Sequence, residues 1–174
     1  MLTFTRLATK NDIKHIMPII QDGQRNLAAA QIPQWQDGYP NRTAIENDIA
    51  HNEAYVLVNS ETIIGYGVIR QTPEPNYRTP LTGTWVDDTT PYVSLHRVVV
   101  SSQFSGQHLG QIFMSNLLTI SYSLGFRAAR IDTHEKNTRM QHLITATGFH
   151  HECMICIDGD STDLRQAYSL SLTQ

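Results

Sequence analysis

Strand-like and helix-like spacings of hydrophobic residues alternate along the chain. Apolar and polar residues alternate over residues 2–7, which predicts a first strand. Residues 54–59 and 62–71 are rich in β-branched and aromatic side chains and are separated by a short polar turn, so they predict a hairpin. Residues 92–100 form the strongest strand pattern in the sequence.

Two helices are predicted between the first strand and the hairpin. The first follows a cap at Asn11 or Asp12 and presents one apolar face, which consists of Ile13, Ile16, Met17 and Ile20. The second begins at Thr43, whose distance from Glu46 is that of a capping box, and it extends to about residue 52.

The second half of the chain predicts two further helices and the remaining strands. One helix spans residues 108–124, ends before Gly125 and carries an apolar stripe, which consists of Leu109, Phe113, Leu117, Ile120 and Leu124. The other spans residues 136–147 and ends before Gly148. Strands are predicted at 127–133, 150–157 and 165–172, with a short one at 84–86 inside the otherwise irregular segment 72–91.

This order of elements predicts the fold class. One strand, two helices, three strands, a helix, a strand, a helix and two strands make a mixed α/β (α+β) sheet. We expect a single domain over residues 1–174, with a central sheet of about seven strands flanked by about four helices. Any crossover between parallel strands must be right-handed.

Composition limits the partners of this domain. Of 174 residues, 13 are Lys or Arg and 16 are Asp or Glu, which gives a net charge of −3. A chain without a basic field is not attracted to nucleic acid or to an anionic membrane. The apolar runs are far shorter than a membrane span, and the first residues do not form a signal peptide, so we expect a cytoplasmic protein.

The histidines do not indicate a metal site. His134, His142, His150 and His151 are close in sequence, but their spacing puts no more than two on one face of one element. We therefore predict no metal.

The segment with the clearest candidate chemistry runs from Val98 to Gln111. A strand ends in a short turn that contains Gly106, and a long amphipathic helix containing Gly110 follows. Backbone N–H groups at a helix N-terminus, together with the helix dipole, bind anions without a basic side chain. The segment is neither a Walker loop nor a dinucleotide-binding loop. By itself the segment is consistent with a phosphate-binding site, including one for the phosphate of a nucleotide, or with a turn that binds no ligand.

Two motifs in this half of the chain resemble the GNAT (Gcn5-related N-acetyltransferase) superfamily. That family places the pyrophosphate of acetyl-CoA on a turn with the pattern Q/R-x-x-G-x-G/A, in which Ser105 here stands at Q/R, His108 at the first Gly and Gly110 at the second. Residues 130–137 (RIDTHEKN), followed by Met140 and by the pair Gly148 and Phe149, are similar to the family's fifth strand and last helix. The order of elements also matches over nearly the whole chain.

The resemblance implies an acetyl-CoA-dependent N-acetyltransferase that transfers the acetyl group directly to a primary amine of a small molecule or peptide. It implies that the backbone N–H of Val98 binds the thioester carbonyl, where splaying of the two neighbouring strands would leave it free. The residues assigned to the cofactor are Val98, Val99, Val100, Ser105, Gly106, Gln107, His108, Leu109, Gly110, Gln111 and Asn137. A homodimer is one of the oligomeric states left open.

The resemblance does not assign the general acid or the general base, because many relatives use a carboxylate where this chain has Ser94 and a tyrosine where it has Ile144. His96 lies on the same strand face as Ser94 and is the candidate base, with a packed structural histidine as the alternative. The departures at Ser105, His108 and Ile144 make a non-catalytic acyl-CoA-binding sensor or partner module the alternative function.

Two further expectations concern large side chains around this segment. Arg97, in a strand that otherwise looks buried, should pair with a carboxylate such as Asp132. Four aromatic residues in irregular segments either line an acceptor pocket or pack as small core clusters, namely Trp35, Tyr39, Tyr77 and Trp85.

Overall fold

The computed structural model describes residues 2–173 and contains one mixed sheet with four α-helices. The strands are β1 (Thr3–Leu7), β2 (Ala54–Asn59), β3 (Thr62–Arg70), β4 (Thr82–Gly83), β5 (Tyr92–Val100), β6 (Ala128–His134), β7 (His150–Ile157) and β8 (Asp160–Ser171). The helices are α1 (Ile13–Ala29), α2 (Arg42–Ala50), α3 (Leu109–Ser123) and α4 (Thr138–Ala146).

The eight strands follow the order β1-β2-β3-β5-β6-β8-β7-β4 across the sheet. β5 and β6 form a parallel pair, and α3 connects them along the chain. The pairs β1–β2, β2–β3, β6–β8, β7–β8 and β4–β7 are antiparallel. The predicted mixed α/β sheet is confirmed, and its eighth strand is the two-residue β4.

Three local predictions were wrong. The N-cap of α2 is Asn41, whose side chain accepts a hydrogen bond from the Ala44 amide at 3.0 Å, so Thr43 lies inside the helix. The short strand expected at 84–86 lies at Thr82–Gly83 instead, where it pairs with β7. Leu124 follows the end of α3 and is exposed, because the chain turns there towards Gly125 at a φ of +98°.

Contacts divide the chain into two compact units. The first unit consists of the residues up to Ile69 together with Arg97–Leu117. Its core contains the predicted apolar face of α1, which packs with α2 and the buried faces of β2 and β3. The members of this core include Ile13, Ile16, Ile20, Ile45, Ile49, Val56, Tyr66 and Val68, with Met17 and Val99 partly buried against them.

The second unit consists of Arg70–His96 and the residues from Leu118 onwards. Tyr77 and Trp85 belong to its core, with ring centroids 5.2 Å apart and with the Trp85 indole N–H donating to the Tyr77 carbonyl oxygen at 2.8 Å. The Arg130 guanidinium lies 3.9 Å from the Trp85 ring centroid and 4.0 Å from that of Tyr92. For Tyr77 and Trp85, the structure therefore decides between the two alternatives in favour of packing.

Asp12 connects β1 to the start of α1 through a buried carboxylate. Arg6 donates two hydrogen bonds to it, at 2.8 and 2.9 Å, and the Thr9 amide donates a third at 2.7 Å. The Arg6 hydrogen bonds, and then those from Thr9, outweigh burial and hold the pKa of Asp12 well below its ordinary value.

We predict that Asp12→Asn lowers the free energy of unfolding by about 2 kcal/mol at pH 7, because charge-assisted hydrogen bonds are lost. A carboxylate with a depressed pKa stabilises the fold above its unfolded pKa, about 4, and this contribution is lost as the pH falls through the folded pKa. Urea unfolding at several pH values should therefore show a difference from wild type that shrinks below about pH 4. Glu46→Gln, in the exposed pair with Arg42, serves as the control and should change stability by less than about 0.5 kcal/mol. A difference independent of pH would contradict the prediction.

Candidate functional site

The turn between β5 and α3 is short, exposed and unusual in its backbone. After a 3₁₀ turn at Ser102–Phe104, the residues Ser105 to His108 lead directly into α3, whose first residue is Leu109. Two of them have left-handed backbone conformations, with a φ of +78° at Gly106 and of +56° at His108. The turn therefore presents backbone groups at the start of a helix to solvent.

Backbone conformation explains why a glycine is favoured at two positions of this turn. A Cβ added at Gly106 would meet nothing within 4 Å, so it is the left-handed φ and not crowding that favours glycine. The same argument applies to His108, which stands where the family pattern has its first Gly. A side chain in this conformation costs about 1–2 kcal/mol, and here His108 carries that strain.

A carboxylate from α1 fixes the start of this turn. Asp22 accepts the Ser102 amide at 2.7 Å and the Ser102 hydroxyl at 3.1 Å. The preceding amide, that of Ser101, donates to the Ile64 carbonyl oxygen of β3 at 2.8 Å. The turn is thus held by a helix and a strand of the same unit, and Asp22 is a positioning residue that sequence analysis did not find.

β5 changes conformation in its second half. Its ladder with β6 consists of four residue pairs and ends at Leu95↔Ile131. Two residues later, Arg97 has a left-handed φ of +53°, and Val98 to Val100 complete the strand. β3 approaches them closely, because a Cβ at Gly65 would lie 3.1 Å from the Val99 carbonyl oxygen. The predicted thioester-binding residues therefore lie beyond the part of β5 that pairs with β6.

The candidate base His96 faces a carboxylate that sequence analysis missed. The imidazole Nε2 lies 3.3 Å from Oε2 of Glu74, although the two atoms are not aligned for a hydrogen bond. Glu74 is only 6% exposed and also lies 3.6 Å from Arg70 Nη1. Burial raises the pKa of Glu74, but His96, the Asn76 amide and Arg70 together hold that pKa below its ordinary value. Glu74 is thus an ionised partner for His96.

The other sequence-predicted residues of the second unit differ in burial and in hydrogen bonding. The Ser94 hydroxyl is completely buried and has no hydrogen-bond partner. Asn137 is the N-cap of α4, where its Oδ1 accepts the Met140 amide at 3.2 Å. Ile144 is completely buried on α4, so the place of the family's tyrosine is apolar here.

Arg97 has a different partner from the one we predicted. Its Nη2 lies 3.2 Å from Oδ1 of Asp48 on α2, while Asp132 accepts the Tyr77 hydroxyl at 2.8 Å. The Tyr66 hydroxyl donates to the other oxygen of Asp48 at 2.7 Å. Burial, followed by the neighbouring Asp48 carboxylate, raises the pKa of Tyr66 far above its ordinary value, so the phenol stays protonated.

The loop that follows α1 lies beside Arg97. Tyr39 is 41% exposed, and its ring centroid lies 5.3 Å from Cζ of Arg97. The Gln24 side chain donates to the carbonyl oxygens of Tyr39 and Pro40, both at 3.2 Å. Trp35 packs so closely on α1 that a Cβ at Gly23 would lie 3.1 Å from its ring. For Trp35 and Tyr39, the structure therefore shows a loop that is anchored to α1 and borders the Arg97 side chain.

Residues 2–173 contain neither a cluster of metal-ligating side chains nor a membrane-spanning helix. Their His, Cys, Asp and Glu side chains form no group of three or more that could hold a metal ion. None of their helices is long and apolar enough to cross a membrane.

His134 is buried, which lowers its pKa, and its Nδ1 accepts the Lys136 amide at 3.1 Å.

The functional residues that sequence analysis missed differ in how far the sequence could have indicated them. Asp48 stands with Ile45 and Ile49 at helical spacing on the buried face of α2, and a charged residue on an apolar face indicates a buried partner. Glu74 lies between two prolines in an irregular segment, where no periodicity assigns a direction to its side chain. Asp22 lies on α1 among polar neighbours, and nothing in the sequence connects it with Ser102.

Comparison with known proteins assigns the chain to a family. The model of the acetyltransferase (GNAT) family matches residues 21–149. The chain belongs to the GNAT acetyltransferase family. The match includes β5, the turn, α3, β6 and α4, so the suspected membership is confirmed.

Solved structures support the same assignment. A GNAT-family acetyltransferase of Streptococcus agalactiae is 32% identical, with a TM-score of 0.89 over 97% of this chain and 95% of that one. One from Listeria monocytogenes is 22% identical and shares the fold, with a TM-score of 0.74 over 98% of this chain and 95% of that one. No curated protein matches the GNAT chain described here.

We predict that Asp22→Asn destabilises the turn at residues 102–108. The neutral amide accepts the Ser102 N–H less strongly, so the free energy of unfolding should fall by about 1–2 kcal/mol in urea titrations. Hydrogen exchange at residues 102–108 should become faster than in wild type. Arg25→Ala serves as the control, because its pair with Asp22 is exposed and 3.5 Å long, and it should cost less than about 0.5 kcal/mol. Equal exchange rates in D22N and wild type would disprove the positioning role.

Proposed function

We propose that the chain is an acetyl-CoA-dependent N-acetyltransferase, formed by one domain over residues 1–174, that transfers the acetyl group directly to a primary amine of a small molecule or peptide. The observation that carries this proposal is the exposed turn with two left-handed residues immediately before α3, in a chain of the GNAT family. Its amides lie where a helix N-terminus favours an anion, which is how a chain with a net charge of −3 can bind a pyrophosphate.

The open turn fits such a ligand, since the space beyond Gly106 is empty to 4 Å. In this proposal the amides from Gly106 to Gln111 hold the pyrophosphate. The Ser105 amide, which the sequence assigned to the same ligand, instead donates to the Ser102 carbonyl oxygen at 3.1 Å. Val99 and Val100 contact the pantetheine arm. Acetyl-CoA, when bound, supplies a thioester whose carbonyl carbon is open to attack by an amine.

The backbone N–H of Val98 has the role of stabilising charge. It donates to the thioester carbonyl oxygen, on which negative charge grows during the attack, and one such donor contributes about 3 kcal/mol. A backbone donor does not titrate, so this contribution is independent of pH. The left-handed backbone conformation of Arg97 positions this amide, because it sets the direction of the peptide unit that follows.

His96 takes the proton that an ammonium group must lose before it can attack. Its Nε2 faces the ionised Glu74, which leaves Nδ1 to accept the proton and stabilises the resulting imidazolium. Hydrogen bonds of catalytic groups are often poorly aligned before substrate binds, so the 3.3 Å separation is compatible with this role. Because Ile144 is apolar, solvent protonates the departing thiolate.

The alternative function is a module that binds acyl-CoA without turnover. The buried Ile144 and the strained His108 favour it, because both stand where the family pattern has other residues.

Release of CoA thiol from acetyl-CoA, measured with a broad panel of primary amines, tests the main proposal. Thiol release that depends on the amine supports an enzyme. Tight CoA binding without such release supports the non-catalytic module, and stabilisation by ATP or NAD but not by CoA contradicts both.

The turn can be tested with a matched pair of glycines. We predict that Gly106→Ala weakens CoA binding about fivefold in calorimetric titrations, because escape from a strained φ of +78° displaces the amides. Gly159 has a φ of +77° and the same open surroundings, in the turn between β7 and β8. Gly159→Ala should therefore cost similar stability but leave CoA affinity unchanged. Equal CoA affinities in the two variants would remove the turn from the cofactor site.

The base can be tested with His96→Ala and Glu74→Gln. We expect H96A to lower kcat by about 100-fold or more and to change CoA affinity less than twofold. E74Q should lower kcat less, and it should move the acidic limb of the pH–rate profile to lower pH, because a neutral amide does not stabilise the imidazolium. Glu61→Gln, in the exposed turn between β2 and β3, is the control. A wild-type pH profile in E74Q would show that Glu74 does not act through His96.

A further inference from the structure

Arg97 carries hydrogen-bond donors that the protein does not satisfy. Its side chain is 7% exposed, and its charge is paired with Asp48 through Nη2 alone. The Nε and Nη1 atoms are buried and have no hydrogen-bond partner. Buried donors are nearly always satisfied, because leaving one without a partner costs its full desolvation energy. The protein itself therefore leaves two donor atoms of this guanidinium without an acceptor.

The charges around Arg97 indicate what kind of group completes it. Asp48 is 3% exposed and already balances the guanidinium, and Tyr66 contributes a neutral hydroxyl that donates to Asp48. A second carboxylate at Arg97 would leave one net negative charge in this buried cluster, which is costly. A neutral carbonyl oxygen satisfies the same two donors without adding charge. The cluster thus favours an amide or ester carbonyl over a carboxylate.

The position of Arg97 connects this carbonyl with the acetyl acceptor. Arg97 directly precedes Val98, whose amide binds the thioester carbonyl in the proposed function, on which this inference rests. Because the two residues are adjacent in the chain, a ligand held by the Val98 amide lies within reach of the long Arg97 side chain. The exposed ring of Tyr39, 5.3 Å from Cζ of Arg97, borders the guanidinium on the side of the anchored loop.

We propose that Nε–H and Nη1–H of Arg97 bind a neutral carbonyl oxygen of the acceptor, so that the substrate class is an amine that also carries an amide or ester carbonyl. An α-amino amide and the N-terminal residue of a peptide share this chemistry. Arg97 is then a specificity-determining residue, and Asp48 and Tyr66 hold it in place.

The test compares acceptors in matched sets, each with an amide, a carboxylate or neither near the amine, such as glycinamide, glycine and propylamine. A short peptide amide, diglycinamide, distinguishes peptides from small amino amides. Arg97→Lys is the main variant, because lysine keeps the charge opposite Asp48 but lacks the forked donors of arginine. Arg42→Lys, on the exposed surface of α2, is the control.

We expect R97K to lower kcat/KM about 10- to 100-fold more for the amides than for the plain amines, whose smaller loss reports the effect of the substitution on the Val98 amide. Comparing each acceptor between the two enzymes removes differences in the intrinsic reactivity of the amines. If R97K does not fold, the double variant Arg97→Met with Asp48→Asn removes both charges together and should give the same pattern.

Three results would overturn the inference. Equal losses for amides and plain amines would assign Arg97 a purely structural role. Faster transfer to the carboxylates than to the amides would contradict the neutral carbonyl. In both of these cases the proposed acetyltransferase function would stand, whereas the absence of transfer to any amine would overturn that function and this inference together.

Discussion

The left-handed backbone of Arg97 is the constraint on which the placement of the candidate site depends. A non-glycine residue with a φ of +53° in a strand is strained, and such a conformation persists only where the surroundings fix it. Here the Asp48 carboxylate and the Tyr39 ring hold the Arg97 side chain from two elements of the same unit. The strain is therefore balanced by contacts to a side chain, and its consequence is a change of direction just before Val98.

The candidate phosphate site depends on backbone and not on charge. The exposed turn before α3 contains two left-handed residues, and Asp22 fixes the start of the turn from α1. A carboxylate beside a proposed anion site is compatible with that site because the Ser102 amide and hydroxyl occupy both of its oxygens. In a chain with few charged residues, geometry of this kind can provide binding that composition does not reveal.

Particular residues show how much of the structure could be predicted from the sequence. The face of α1 followed from periodicity, because burial on one side of an element leaves a regular pattern. The hairpin and the strand Tyr92–Val100 followed from runs of β-branched and aromatic residues. Arg97 was expected to need a carboxylate, and it has one, but the partner is Asp48 and not Asp132. The choice between two carboxylates depends on the direction of the Arg97 side chain, which the unusual φ alters and no pattern predicts. Glu74 was missed for a related reason, since its irregular segment has no period from which to infer its direction.

The sequence by itself determined the order of elements, the mixed sheet, the family and the segment in which the candidate chemistry lies. These properties are local or periodic, and each residue contributes to them through its own propensity and its neighbours in the chain. Only the tertiary structure decided that Glu74 faces His96, that Asp22 holds Ser102 and that Arg97 retains two unsatisfied donors. These contacts join residues that are 22 and 80 positions apart in the first two cases, and they form only after the helices and strands have packed.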